Sequence, residues 1–316
     1  MKNVVIFGGG SGLSQLLKGL KLFPVNVTAV VSVADNGGST GALRKEFDNP
    51  AVGDITKVLL AMANTDEDNT NLLNYRFATN SKLGNHSIKN LLLTALLDLK
   101  GDFAHAIPVL CKLFNIQGTI LPLTDEPVDL IGKTENGEYI IGESEITKAH
   151  VKIEEIFYDK KFKINPEIFK AIFKADLIIF SCGSLYTSVI PHLVLTQITD
   201  AINDSNAKTL YVCNLVTQPG ETDNYKVSDH IKVFQKYLGS KGLDAIIANN
   251  AKMSKYLVNK YANEEQKDPV TLDKKQIEKL GVTLIEDKIY KIENNTLRHD
   301  ALKTAYLIFS YLMDGK

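Results

Sequence analysis

The chain has 316 residues, 44% hydrophobic and 23% charged, a balance that excludes disordered and fibrous classes and is long enough for a full core. Its 36 basic and 37 acidic side chains leave a formal net charge of -1 with no block of like charge, unlike the basic footprint of a nucleic-acid or membrane-surface protein. No stretch approaches the roughly 20 apolar residues of a membrane span, and the first apolar run is too short for a signal peptide. The three cysteines, Cys111, Cys182 and Cys213, form no Cys-x-x-Cys or Cys/His cluster, so a reducing compartment is the simplest expectation.

The chain opens as strand, turn, helix, strand. Val4, Val5, Ile6 and Phe7 form an apolar strand, residues 8–12 a glycine-rich turn, and Leu13, Leu16, Leu17 and Leu20 recur at helical spacing before a strand over residues 27–33. Further apolar strands are expected at residues 177–180, 210–213 and 245–248, continuous enough to be covered on both faces as in a parallel sheet. Between them the clearest amphipathic helix starts near Ile88, with Ile88, Leu91, Leu92, Ala95, Leu96 and Leu99 as its buried face.

The alternation breaks over residues 121–158. Asn136-Gly137 between apolar runs predicts a β-hairpin over residues 128–141, with Val151, Ile153 and Ile156 as a further strand. Asn165-Pro166 then restarts helix as an N-cap with proline at the first helical position. Near the end Asp273 to Gln276 resembles a capping box with Gly281 as the stop, and a last helix is expected over residues 301–313. The fold class is therefore α/β, a mostly parallel Rossmann-like sheet flanked by helices, in one domain over residues 1–316 with a β-rich insertion at 121–158.

Four loops bear polar chemistry. The turn Gly8-Gly9-Gly10-Ser11-Gly12 joins the first strand to the first helix, where backbone N–H groups and the helix dipole attract phosphate. Leu13 breaks the dinucleotide fingerprint and no Gly-Lys-Ser/Thr follows, so neither a dehydrogenase turn nor a Walker loop fits, and a purely steric turn is the alternative. The second strand runs into Asp35-Asn36-Gly37-Gly38-Ser39-Thr40, where Asp35 can accept from ribose hydroxyls, hold Mg²⁺ against a phosphate, or merely cap its own turn. Asp54 reads first as an N-cap, and Ser87 as another, with His86 beside it as a donor or titrating group. The third loop is Gly183-Ser184-Leu185-Tyr186-Thr187 and the fourth runs from Asn214 past Gln218; neither carries a serine-hydrolase elbow. Cys182 and Cys213 lack a local basic neighbour and read as small buried residues.

With these loops in hand the chain resembles the YvcK-like gluconeogenesis factors of the CofD-like superfamily. The likeness covers residues 8–13, 35–41, His86-Ser87, Gly142-Glu143-Ser144, 183–188, 218–222, Ser228-Asp229-His230 and Arg298-His299-Asp300. It implies a Rossmann-like fold, a cytoplasmic location, binding of a UDP-sugar such as UDP-N-acetylglucosamine, and a role in cell shape and envelope metabolism on gluconeogenic carbon sources. The CofD relatives are transferases moving a phospholactate group from a guanosine diphosphate donor onto a deazaflavin with Mg²⁺. The chain departs from the usual motifs at Asn36, Thr56, Lys57, Lys89, Ser181 and Cys182; Lys57 lies beside the place where relatives carry a phosphate-gripping arginine.

The expected ligand-binding set is therefore Gly9, Gly10, Ser11, Gly12, Asp35, Asn36, Gly37, Gly38, Ser39, Thr40, Lys57, His86, Asn90, Gly183, Ser184, Leu185, Tyr186, Thr187, Asn214, Gln218 and Arg298. Asp35 is the one candidate metal ligand, Mg²⁺ the one cofactor left open, and no catalytic residue is assigned. A nucleotide-sugar-binding regulator is favoured over a CofD-type transferase, without nucleic acid or membrane insertion; a protein partner in envelope metabolism and a homo-oligomer stay open. Arg298 is the fullest charge expected at a diphosphate, the alternative being a surface arginine near a helix start.

Overall fold

The computed structural model describes residues 1–79, 81 and 84–315, and opens with β1 (Lys2–Gly8), α1 (Gly10–Leu20) and β2 (Val25–Val31). Five helices follow, α2 (Gly38–Phe47), α3 (Gly53–Met62), α4 (Glu67–Asn74), α5 (Ile88–Lys100) and α6 (Phe103–Leu113), before β3 (Thr119–Pro122). Next come β4 (Leu130–Thr134), β5 (Tyr139–Ile141), α7 (Glu143–Ala149) and β6 (Ile153–Tyr158), then α8 (Pro166–Lys174) and β7 (Leu177–Phe180). A π-helical turn at Leu185–Val189 leads into α9 (Ile190–Leu193), α10 (Thr196–Asp204), β8 (Lys208–Val212), α11 (Val227–Leu238) and β9 (Ala245–Asn249). The chain ends with α12 (Lys255–Glu265), α13 (Lys274–Lys279), β10 (Thr283–Asp287), β11 (Tyr290–Glu293), β12 (Thr296–His299) and α14 (Ala301–Asp314).

The main sheet has the order β10-β9-β8-β7-β1-β2-β3, and every pairing in it is parallel. Parallel strands need helical crossovers on both faces, and the apolar strands show the result: Val4, Ile6, Phe7 and the four residues of β7 are buried essentially completely. The chain builds outward from β1 to β3, then resumes at β7 on the other side of β1 and builds outward to β10. The direction of winding reverses between β1 and β7, which opens a crevice beyond their carboxyl ends. Helix α1 closes one side of it. Its Leu13, Leu16, Leu17 and Leu20 are at most 1% exposed, each worth about 1.5–3 kcal/mol of burial, and α1 packs on α3 and α14.

Several local expectations need correction. Leu121 and Pro122 belong to β3 at the edge of the parallel sheet, so the small antiparallel sheet β5-β4-β6 begins at Leu130 and encloses the helix α7. Its β4–β5 hairpin and β6 lie where the Asn-Gly signal and the apolar residues put them. The buried stripe of α5 is Asn90, Leu93, Thr94 and Leu97; Leu99 is 76% exposed and Ala95 exposed, because α5 lays a partly polar stripe against α2 and α3. Val52, not Asp54, is the N-cap of α3, and Ser87 stands at the N-cap of α5 without a capping bond. Asp273 caps no N–H of α13; its carboxylate accepts from Ser228 N at 3.0 Å and Ser228 Oγ at 2.6 Å, pinning α11 instead. Asn165 with Pro166 starts α8 as expected, and Gly281 with φ of +71° follows α13.

Candidate functional site

The site grows from the β1 turn. Gly9 is the N-cap of α1 and supplies no side chain, so the first-turn N–H groups of Ser11 and Gly12 have neither an intrahelical acceptor nor a side-chain cap. Two glycines are required by close approach. A Cβ at Gly12 would stand 2.5 Å from Gly183 N, so only glycine lets α1 touch the β7 loop, and a Cβ at Gly9 would stand 2.6 Å from Asp54 Oδ2. Buried His192 donates from Nε2 to Gly8 O at 3.2 Å and fixes the carbonyl side of the same turn.

Asp54 is 5% exposed and lies under this turn, where Lys57 Nζ donates to its Oδ1 at 2.9 Å. Burial raises the Asp54 pKa, Lys57 pulls it back and Asp35 pushes it up again, leaving it above the ordinary aspartate value. Burial opposes the charge on Lys57, but Asp54 together with Asp35 and Glu143 outweighs it and holds that pKa up. Glu143, at the start of α7, is pushed well up by burial and by the negative charges of Asp54 and Asp35. Three carboxyls and one lysine thus share a corner between the α/β body and the insertion, and the local motif of each hid that association.

The loop after β2 is committed largely to its own architecture. Asp35 Oδ1 accepts from Gly37 N at 2.9 Å, and Asn36 Oδ1 accepts from Ser144 N at 2.9 Å, tying the loop to α7. Helix α2 starts at Gly38, with Gly37 as an N-cap that offers no side chain. Ser39 Oγ meets His86 Nδ1 at 3.0 Å and accepts from Asn90 Nδ2 at 3.2 Å, while Asn90 Oδ1 accepts from Thr56 Oγ1 at 2.7 Å. Thr40 is buried. Asp35, Asn36 and Gly37 thus bond among themselves and to α7, Ser39, His86 and Asn90 form a second hydrogen-bonded group, and none of them lines the cavity described next.

The β7 loop is filled from inside. Glu221, 4% exposed, accepts from Ser184 Oγ and, at 3.0 Å, from Tyr186 N; Thr187 N and Thr187 Oγ1 both donate to Ser184 Oγ, at 3.1 and 2.7 Å. Burial raises the Glu221 pKa against these donors, which lower it. The side chains of Leu185, Tyr186 and Thr187 are all buried. Donors that read in the sequence as free for a phosphate thus already hold a carboxylate of the chain.

A cavity of about 380 Å³ opens at the reversal point, lined by Gly9, Ser11, Gly12, Gly183, Ser184, Asn214, Gln218 and Arg298 from the expected set. Asn214 is spent on structure, donating to Gly183 O at 3.0 Å and accepting from Tyr211 Oη at 2.8 Å, whereas Gln218 Oε1 has no partner among the described residues. Arg298 is exposed on β12, whose hairpin with β11 brings it over the α1 N-terminus. Gln15, Cys182, Lys267 and His299 also line the cavity and were missed. Gln15 Nε2 donates to His299 O at 2.8 Å and His299 Nε2 to Cys213 O at 3.0 Å, bonds between residues far apart in sequence. Burial lowers the His299 pKa to about 4 and pushes the Cys182 thiol up to about 12, so neither is charged near neutrality.

Among the described residues no three His, Cys, Asp or Glu side chains converge to hold a metal ion by themselves. Mg²⁺ ordinarily takes one or two carboxylates and fills its remaining positions with phosphate oxygens and water. Asp35, Asp54 and Glu143 would offer carboxylates to such an ion in their shared corner, with Asp35 as the protein ligand, but none of the three lines the cavity. No helix among the described residues is long and apolar enough to cross a membrane.

The family described as 2-phospho-L-lactate transferase CofD matches residues 4–290. The gluconeogenesis factor of Halalkalibacterium halodurans is 42% identical over 316 residues, spanning 100% of this chain and 97% of that protein. The gluconeogenesis factor of Bacillus subtilis is 38% identical over 312 residues, 98% of each chain. A crystal structure of a Bacillus halodurans protein superposes with a TM-score of 0.94 at 42% identity, covering 98% of this chain and 99% of that one. Conserved across both sequence and backbone from end to end, the chain belongs to the CofD family, in its gluconeogenesis-factor branch.

Proposed function

We propose that the chain is a cytoplasmic regulatory protein that binds a nucleotide-sugar of the UDP-N-acetylglucosamine kind, linking envelope metabolism and cell shape to growth on gluconeogenic carbon sources. The observation that carries this reading is the uncapped N-terminus of α1 at the point where the sheet reverses, facing a cavity with Arg298 on its rim. In the bound state the N–H groups of Ser11 and Gly12 donate to the diphosphate and Arg298 supplies the full positive charge. Gln218 Oε1 offers an acceptor for a base or sugar N–H.

Isothermal calorimetry with UDP-N-acetylglucosamine tests it. Binding to the unmutated chain is expected, and Arg298→Ala should weaken it by roughly 1.5–3 kcal/mol, about ten- to a hundredfold. No binding to the unmutated chain discards the ligand class; unchanged affinity in the variant removes Arg298 from the site. The raised carboxyls of Asp54 and Glu143 beside the β1 turn favour one second reading, transfer of a phospho-group with a carboxylate as general base. Steady release of UMP from the UDP-sugar with Mg²⁺ and an acceptor alcohol, the sugar phosphate passing to the acceptor oxygen as the P–O–P bond breaks, would establish that reading in place of a binding protein.

A further inference from the structure

Helix α14 is apolar around most of its circumference, yet it is covered on one side only. Ala301, Thr304, Ala305, Ile308 and Tyr311 turn inward, with α1 as the packing partner. On another face Leu302, Tyr306 and Met313 are each more than half exposed, and half-buried Phe309 completes the row. At 3.6 residues per turn these four lie within about 60° of one another, one stripe along a helix about 21 Å long. Phe23, in the turn after α1, packs on Phe309 with ring centroids 5.2 Å apart, and exposed Leu22 beside it widens the stripe. An ordinary surface helix points charges outward, as α11 does with Lys232 and Lys236. A row of large apolar side chains left in water marks a contact with another chain.

We propose that this face is the seam of a two-fold homodimer, in which α14 packs antiparallel on α14 of a second copy. The stripe is self-complementary, because its separations of four, three and four residues read the same in either direction. One two-fold axis therefore sets Leu302 against Met313 of the second copy and Tyr306 against its Phe309, as an isologous contact requires. The charges agree with this direction. Lys303, Ser310 and Asp314 flank the stripe on the side away from the core, and the rotation keeps the two flanks together. Lys303 then stands within about 3 Å in height, two residues' rise, of Asp314 in the second copy. Asp314 also faces the positive N-terminal end of the opposing helix. Within one chain Lys303 pairs with Asp287 at 2.6 Å and Asp314 accepts from Ser310 Oγ at 3.2 Å, so both side chains are already oriented. A parallel pair would bring Lys303 against Lys303 and Asp314 against Asp314. The dimer is independent of the nucleotide-sugar reading.

Analytical ultracentrifugation of the unmutated chain at about 50 μM should show a species of twice the 34.9 kDa chain mass. Tyr306→Glu puts a charge at the centre of the seam in each copy and should raise the dimer dissociation constant at least about a hundredfold. The flanking charges test the direction. Lys303→Glu and Asp314→Lys each bring like charges together and should weaken the dimer about tenfold when studied alone. Mixing those two variants should restore it to within about threefold, because the mixed dimer pairs opposite charges at both ends. A monomer at this concentration overturns the proposal and leaves the stripe to a different protein. A dimer indifferent to Tyr306→Glu places the seam elsewhere and overturns it as well. Charge variants that do not recover on mixing refute the antiparallel pairing.

Discussion

The turn after β1 and the turn after β7 sit side by side, both rich in glycine and serine and both leading into helix, yet they differ in how many of their donors the chain itself takes up. At the first, the Gly10 N–H donates to Asp54, while the Ser11 and Gly12 N–H groups, left without a side-chain cap by Gly9, face a cavity. At the second, Glu221 reaches in from 35 residues beyond Tyr186 and takes the N–H and hydroxyl donors for itself. The dipole and donors of a helix start will accept any anion, and a carboxylate of the same chain is one. Whether such a turn is a binding site is decided by what the rest of the fold sends to it.

Removing the internal carboxylate is the harshest test of this contrast. Glu221→Ala leaves the donors of Ser184 and Tyr186 buried without an acceptor and should cost about 2–5 kcal/mol in urea denaturation. The emptied turn should then bind sulfate or phosphate, visible as a larger thermal stabilisation by sulfate than the unmutated chain shows. Unchanged stability would mean that Glu221 does not fill the turn.

The open turn is braced by the neutral imidazole of His192 on Gly8 O, with His299 holding Cys213 O beyond β8, and acid should loosen both. Burial lowers the pKa of His192 and of His299 to about 4, below the roughly 6.5 of an unfolded histidine. The unfolded chain therefore takes up these protons first as pH falls. Stability is complete above about pH 6.5 and drains away toward pH 4, by about 3 kcal/mol for each imidazole. His192 Nδ1 has no partner among the described residues, so a proton there would find no acceptor. Asp54, Glu143 and Glu221, with raised pKa values, titrate with the opposite sign, since the fold holds their protons more tightly. Comparison with His192→Gln isolates the imidazole: its stability should fall less steeply from pH 6.5 to 4, and an identical slope would contradict the assignment.

Gly12→Ala drives a methyl onto the backbone at Gly183 and should cost about 1–3 kcal/mol while prising the two turns apart. Ligand affinity should drop more than stability alone would explain; full affinity at normal stability would show that their close approach is not needed. The smallest effect is expected at Asn36, where alanine loses the bond from Ser144 N, about 0.5–1.5 kcal/mol. Hydrogen exchange should rise locally at α7 and not at α1. Equal exchange at both would mean that Asn36 does not specifically secure the insertion.

What the sequence made legible follows from how locally each feature is encoded. Strands β7, β8 and β9 are short apolar runs covered on both faces, and the β4–β5 hairpin carries its own Asn-Gly turn, so both could be read in place. The β11–β12 hairpin had a comparable signal in Asn294 and Asn295, which both adopt positive φ between short alternating runs, and it went unread. Helix α6 was hidden by Pro108 within it, although Asp102 caps it by accepting from His105 N. The site divides the same way. Glycines 9 and 12 announced the α1 turn, but Glu221 in the β7 turn and Asp54 beneath Gly9 are meetings of distant segments that no spacing rule contains.

The most direct test of the account is a crystal structure of the complex with a UDP-sugar. The diphosphate is expected within hydrogen-bonding distance of the Ser11 and Gly12 N–H groups, with Arg298 against it and Glu221 still bonded to Ser184. A diphosphate seated in the β7 turn with Glu221 displaced, or held away from the α1 N-terminus altogether, would contradict the claim that the turn after β1 is the open anion site.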